Sequence, residues 1–327
     1  METDVLYALT DDGVSLPVVD VTNPAFAITA TEAELAAMKE QFLREANLRR
    51  EIPEAVRMAL QESLLGRGLM AAAGTFLTGM STYLLKLGPA NLGPTAGPID
   101  RGIAASLPAF AGRLRLQDIA RLLADALSRT LAAQPGQPVC LINIAGGPAA
   151  DSWNALIHLH VEHADLLAGR DILVAVLDPD EHGPAFGERA LDVLRGDRAP
   201  LSGLDVEFRH IPYDWSQADR LREILEEVRA AGSVCAMSSE GGLFEYGSDQ
   251  EIVSNLEKLH GGTSPDTIVT GSVTKDGELV RATQGANRAS TVPRTFEAFA
   301  SLTGQAGWVV QHTIDRPFSY NLSLVKC

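Results

Sequence analysis

Basic residues, cysteine and long uncharged stretches are all scarce in this 327-residue chain. Lysine and arginine number 27 against 42 aspartates and glutamates, a formal charge of −15 with a pI near 4.9. That balance argues against a nucleic-acid backbone as the main partner, because phosphate contacts need basic surface. Cys140, Cys235 and Cys327 stand far apart and form no C-x-x-C pair. Cys140 and Cys235 fall in apolar runs, where a reduced cysteine serves as a small hydrophobe, so a reducing cytoplasm is expected. The opening residues, M-E-T-D-V-L-Y, lack the positive region of a signal peptide. One stretch, Gly68–Leu85, carries no charge and approaches the length of a membrane span. Its threonines, Ser81 and three glycines dilute the hydrophobicity, so it reads as a buried helix and no membrane partner is expected. H-E-x-x-H, G-x-S-x-G and G-x-G-x-x-G are absent, and nothing repeats at a fixed period.

What is present is organised around Pro138–Pro148, P-V-C-L-I-N-I-A-G-G-P. The short apolar run Val139–Ala145, with no alternation, suits a strand buried on both faces of a parallel sheet. Gly146 and Gly147 allow a sharp turn and close approach of backbone to ligand. Pro148 fits the first position of a helix over about 148–167, whose free N–H groups would face whatever sits in the turn. Strand, glycine turn and helix is how nucleotide-type ligands are held in doubly wound folds.

Before this unit the chain reads as helical. A strand at Leu16–Val21 precedes helices at about 31–49, 52–65, 67–86 and 99–133. Thr31 caps the first, with Glu34 completing a capping box. Gln134–Pro138 is the expected boundary between an N-terminal domain, 1–134, and a second domain, 135–327. From Val139 the pattern alternates, with further strands at Ile172–Leu177, Val206–Ile211, Ser233–Met237 and Thr267–Val273. Helices are expected between them at about 184–195, 216–231 and 248–260, which predicts a parallel sheet covered on both faces. After a helix at about 293–303, strands Gly307–Ile314 and Tyr320–Val325 are joined too closely for a crossover and must be antiparallel.

In element order, terminal hairpin and strand-end residues, positions 139–326 resemble the class I S-adenosylmethionine-dependent methyltransferases. The resemblance implies a Rossmann-like, seven-stranded, mostly parallel sheet with a C-terminal antiparallel hairpin, here joined to a helical N-terminal domain. It also implies S-adenosyl-L-methionine as cofactor. Gly146 and Gly147 match the turn beside the methionine part of the cofactor. Asn143 stands where the family's first motif has an acidic residue, and Ala145-Gly146-Gly147-Pro148 replaces its G-x-G-x-G. Asp178, ending the second strand in Asp178-Pro179-Asp180, matches the acid that holds the ribose hydroxyls. Asp214, in P-Y-D-W, matches the residue that reaches the adenine, with Tyr213 beside it a candidate base or positioning group, and Ser239 and Glu240 end the fourth strand beside the substrate. The segment Glu240–Tyr246, E-G-G-L-F-E-Y, resembles the E-G-x-x-x-Y of the leucine carboxyl methyltransferase branch.

The expected site therefore takes Asn143, Gly146, Gly147, Asp178, Pro179, Tyr213, Asp214 and Ser239 for the cofactor. Glu240, Tyr246 and His312 are the candidate catalytic groups, with His210 a further candidate base. No metal site is expected. His158, His160 and His163 with Glu162 read as the polar face of a helix. The expected activity is methyl transfer to a small-molecule acceptor, in a homodimer whose N-terminal helices cover the strand ends. Two alternatives stay open: a cofactor-binding scaffold without catalysis, and a nicotinamide-dependent oxidoreductase, against which the terminal hairpin speaks.

Overall fold

The structure is a computed structural model that describes residues 4–48, 54–72, 75–283 and 289–327. It opens with a small antiparallel hairpin, β1 (Tyr7–Leu9) and β2 (Ser15–Pro17). The helices α1 (Glu32–Leu48), α2 (Glu54–Glu62), α3 (Leu64–Ala71), α4 (Gly79–Lys86), α5 (Pro98–Ala105) and α6 (Leu107–Ala133) follow. Then come β3 (Val139–Ile144), α7 (Ala150–Leu167), β4 (Asp171–Leu177), α8 (His182–Leu194) and β5 (Asp205–Ile211). A 3-10 turn, Trp215–Arg220, leads into α9 (Leu221–Ala231), β6 (Val234–Ser239), α10 (Leu243–Tyr246) and α11 (Asp249–Gly262). The chain closes with β7 (Ile268–Thr274), α12 (Glu278–Thr283), α13 (Phe296–Gln305), β8 (Trp308–Asp315) and β9 (Ser319–Lys326).

The large sheet has the order β5-β4-β3-β6-β7-β9-β8. Its first five strands are parallel, and β9 runs antiparallel to both β7 and β8. From β3 the chain winds outward through β4 and β5, then returns to β6 on the other side of β3. The order reverses between β3 and β6, and ligands of open α/β sheets bind beyond the C-terminal strand ends at such a point. The apolar run of β3 has a direct cause: all six residues are buried. Val139 and Leu141 pack on the side of α6, α7 and α8, while Cys140, Ile142 and Ile144 pack on the side of α9 and α11.

The sheet is the Rossmann-like one that the resemblance implies, and the C-terminal hairpin is antiparallel. The N-terminal part differs in three places. Leu16–Val21 is a strand only over Ser15–Pro17; Val19 and Val21 are instead held by the side chains of Tyr83, Trp153 and Asn154. The uncharged stretch Gly68–Leu85 is two helices rather than one, because α3 stops at Ala71 and Thr78 caps a new helix by accepting the Ser81 N–H (3.2 Å). Gly74, within that stretch, lies outside the described residues. The helix over 99–133 breaks at Ser106, which is extended (φ −65°, ψ 156°) ahead of Pro108 in the first turn of α6. Glu34 and Thr31 do form the capping box.

Helix α6 lies against α7 and across β6, β7 and β9. Its buried residues Leu116, Leu123 and Leu127 belong to one apolar cluster with Val18 and Tyr83 before Gln134 and with Leu141 and Val174 after it. The two halves of the chain thus share a core. Among the described residues no helix is long and apolar enough to cross a membrane.

Candidate functional site

The turn after β3 is more contorted than two glycines require. Ala145 (φ 58°), Gly147 (φ 56°) and Ala149 (φ 62°) are all left-handed. An alanine in that region costs about 1–2 kcal/mol, and such strain persists where the surroundings over-determine it. Pro148 is not the first helical residue: left-handed Ala149 is the cap and α7 starts at Ala150, so the proline lies inside the turn.

Asn143, expected to face the cofactor, supports the turn from below and is fully buried. Its Nδ2 donates to Asp151 Oδ1 (2.7 Å), Ser238 Oγ (3.1 Å) and Ser152 Oγ (3.3 Å). Gly146 rests on it so closely that a Cβ there would come 1.8 Å from Asn143 Oδ1. Asp151, on α7, thus sets a buried carboxylate beside Asn143. Burial raises the pKa of Asp151, and the nearby Glu240 adds to it.

Asp178 ends β4 and bridges two loops. Its Oδ2 accepts the N–H of Gly147 (3.0 Å) and its Oδ1 that of Asp180 (2.9 Å). Burial raises its pKa against the pull of those two N–H groups. A carboxylate has about four acceptor positions, so each oxygen keeps one for a ligand hydroxyl. Pro179 and Asp180 continue the same wall, while His210 Nε2 contacts the Asp178 carbonyl (2.8 Å).

The remaining expected cofactor residues lie around this wall rather than in it. Tyr213 is buried with its hydroxyl on Asn255, and its pKa is raised by burial. Asp214 is exposed and caps the 3-10 turn by accepting the Ser216 N–H (2.9 Å). Ser239 is buried and donates to the Ile144 carbonyl (3.2 Å).

The candidate catalytic groups are dispersed. Glu240 is buried, with Lys86 on one oxygen and Arg115 on the other. Arg115 also donates to Glu245 Oε1 (2.7 Å), which accepts from Ser272 Oγ (3.1 Å) as well. Burial pushes the pKa of Glu240 up, but Lys86 and Arg115 outweigh it and hold the carboxyl below its ordinary value. With both oxygens bound to cations, Glu240 is the centre of an ion-pair cluster and not a free proton acceptor. His312 is exposed on the edge strand β8. The pairings Asn143 to Ser238, Thr270, Ser323 and His312 put it level with Asn143 but four strands away. At about 4.8 Å per strand that is roughly 20 Å, outside the site. Tyr246 does face it; burial, then Glu245, push its pKa up to about 12.

The cleft itself lies between Ala145, Asp178, Asp180, Trp215, Gly241 and Tyr246, beyond the C-terminal strand ends. Phe76, Leu77 and Gly79, from the uncharged stretch, lie over it. A volume of about 20 Å³ is left, room for one water. The donor set suits a nucleoside: a carboxylate with spare acceptors for a diol, aromatic faces for a base, and glycines for close approach. The space does not suit one while Phe76–Gly79 lies across it. Sequence reasoning missed Lys86 and Arg115; it expected Gly68–Leu85 as a wall over the strand ends, but not that Phe76–Gly79 fills the cleft. The one available signal was Lys86, the charge that ends the uncharged stretch.

A larger groove, about 310 Å³, lies at the opposite edge of the sheet between β4, β5 and α9. It sits at the N-terminal strand ends, and its Arg209 is already bonded to Glu207 and Glu227.

No protein-family model matches the chain, and no curated protein matches it. Among solved structures it is similar to a protein from Bordetella parapertussis described as a possible exported protein. That likeness has a TM-score of 0.58 and 17% identity, over 91% of this chain and 97% of that one. It shows the fold. More distant likenesses are to the mitomycin 7-O-methyltransferase MmcR (TM-score 0.43, 14% identity, 87% of this chain and 75% of that one). A third is to the magnesium protoporphyrin IX methyltransferase ChlM from Synechocystis PCC 6803, with bound SAH (TM-score 0.43, 11% identity, 68% of this chain and 89% of that one).

Proposed function

We propose that this chain binds S-adenosylmethionine between β3, β4 and β6 and transfers its methyl group to a small-molecule acceptor. The observation that carries this reading is Asp178, a buried carboxylate at the end of β4 that is tied to the glycine turn of β3 and keeps an acceptor position on each oxygen. Asp178 would hold the ribose hydroxyls through charge-assisted hydrogen bonds. Trp215 offers a face for the base, and Gly241 and Gly242 line the same cleft.

When bound, the cofactor supplies an electrophilic methyl carbon on sulfur. The protein's own contribution is to hold donor and acceptor in line and to exclude water, which can supply much of the rate. Tyr246 stays protonated at neutral pH, with its pKa pushed up to about 12, and suits orienting an acceptor by hydrogen bonding better than removing its proton. The acceptor then enters with its nucleophile already in reactive form. The full occupation of Glu240 by cations favours one second reading, a cofactor-binding protein that has no general base and does not turn over.

Melting-temperature measurements with millimolar S-adenosylmethionine, S-adenosylhomocysteine and NAD test the proposal. A ligand at a hundred times its Kd stabilises by about 2.7 kcal/mol, a readily seen rise. A rise with the two sulfur nucleosides and none with NAD is the expected result; a rise with NAD alone contradicts it.

A further inference from the structure

The segment Phe76–Gly79 occupies the space that a ligand of this cleft needs. Gly79, the first residue of α4, meets the glycine turn backbone to backbone: a Cβ on Gly79 would come 2.4 Å from Gly147 Cα, and one on Gly147 would come 2.4 Å from Gly79 Cα. Gly183, in the first turn of α8, closes on the same atom, with a Cβ there 2.9 Å from Gly147 Cα. Three glycines from three elements therefore meet where the parallel strands end, and only their lack of side chains allows it.

Above that contact, Phe76 leans on Trp215 and Tyr246, with ring centroids 6.1 and 6.3 Å apart. Leu77 and Tyr246 line the same cleft. What remains below is the volume of about 20 Å³, where small-molecule sites measure about 300–1,000 Å³.

The two ends of the segment are held differently. Downstream, α4 is fixed by Lys86 in the buried cluster with Glu240 and by Tyr83 between Val19 and Pro17. Upstream, among the described residues, Thr75 is exposed, donates its N–H to the Ala72 carbonyl (3.1 Å) and accepts that of Ser290 (2.8 Å), and Phe76 leaves 40% of its surface in water. Few buried contacts and an exposed ring mark a segment that opens at low free energy.

We propose that Phe76–Gly79 is a self-supplied plug: it fills the ligand cleft by resting on Gly147, and a nucleoside ligand enters by lifting it. Plug and ligand compete for one space, so apparent affinity is reduced by the fraction of molecules that stand open. This rests on the cofactor reading above for the ligand, and on the glycine contacts for the device.

The full chain, Phe76→Ala and Gly79→Ala are titrated with S-adenosylhomocysteine by calorimetry and stopped-flow Trp215 fluorescence. Amide hydrogen exchange over Leu77–Met80 is followed in the same three proteins. Phe76→Ala removes a half-exposed ring and should fold. It is expected to bind about tenfold more tightly and faster than the unmodified chain, with faster exchange over the segment. Gly79→Ala, which cannot rest on Gly147, should show the same trend. Binding by the unmodified chain that Phe76→Ala weakens or leaves unchanged overturns the plug and spares the cofactor reading, since Phe76 would then be a stacking residue or a bystander. No binding by any of the three overturns the cofactor reading. Exchange then decides the plug alone: acceleration in both variants upholds a displaceable segment, and unchanged protection removes it.

Discussion

Glu240 shows how far a single residue's role can depend on partners remote in sequence. It lies 154 residues from Lys86 and 125 from Arg115, and the fold buries all three together with Glu245. Nothing near Glu240 in the chain announces either cation, so a carboxylate at a strand end reads as catalytic. The place of Asp178 beside the glycine turn was easier to read, because its partners are Gly147, 31 residues away in the turn of the neighbouring strand, and Asp180 in its own loop. Glu240→Gln leaves Lys86 and Arg115 with one carboxylate between them and should cost about 3–5 kcal/mol in urea unfolding. The double variant Lys86→Met/Glu240→Leu removes charges of both signs and should recover much of that loss; a double variant as unstable as the single would contradict the ion-pair account.

The pH dependence follows from the same cluster. Glu240 titrates below its ordinary value in the folded chain, so its stabilisation is present above the unfolded pKa near 4.3 and is lost as pH falls through the lower folded value. Asp151 is shifted the other way by burial. Its charged form destabilises the fold at neutral pH, and that penalty vanishes once both states are protonated, below about pH 4. Asp151→Asn is therefore expected to raise the melting temperature at pH 7 and to lose that advantage in acid. An advantage that grew in acid would reverse the sign assigned to Asp151.

At the scale of elements, the strands were the readable part, because burial on both faces forces mostly apolar runs without alternation, such as Val139–Ile144. Helix ends were read less well. Ser106 and Thr78 each break a helical pattern through local backbone geometry that apolar spacing does not record. The glycine turn lies between these cases. Its glycines were visible, whereas the left-handed Ala145 and Ala149 and the contact with Gly79 arise only from tertiary packing. Two substitutions separate conformation from contact. Gly136 has φ +78° with nothing within 4 Å of an added Cβ, so Gly136→Ala should cost about 1–2 kcal/mol, the left-handed penalty alone. Gly147→Ala adds a collision with the Gly79 backbone and should cost clearly more. Equal costs in denaturant unfolding would mean that the Gly79 contact relaxes freely.

For the whole molecule, the alternation of strands and helices after Val139 conveyed a parallel sheet, and the short link at Asp315–Ser319 conveyed its antiparallel end. What it could not convey is that α6, 27 residues long, is one of the layers on that sheet. A fragment 135–327 would expose the apolar faces of α7, β6 and β9 that α6 covers, and should be insoluble or molten by near-ultraviolet circular dichroism. A soluble, cooperatively melting fragment would show that the core is divisible at Gln134–Pro138.

The central claim, that the carboxylate ending β4 holds the ribose of a sulfonium nucleoside, is tested most directly by calorimetric titration of S-adenosylhomocysteine into the full chain and into Asp178→Asn. The asparagine still accepts from a backbone N–H but loses the charge and one acceptor. Saturable binding to the full chain and a loss of about 2 kcal/mol, roughly thirtyfold, in the variant are expected. Equal affinity in the two folded proteins would contradict it.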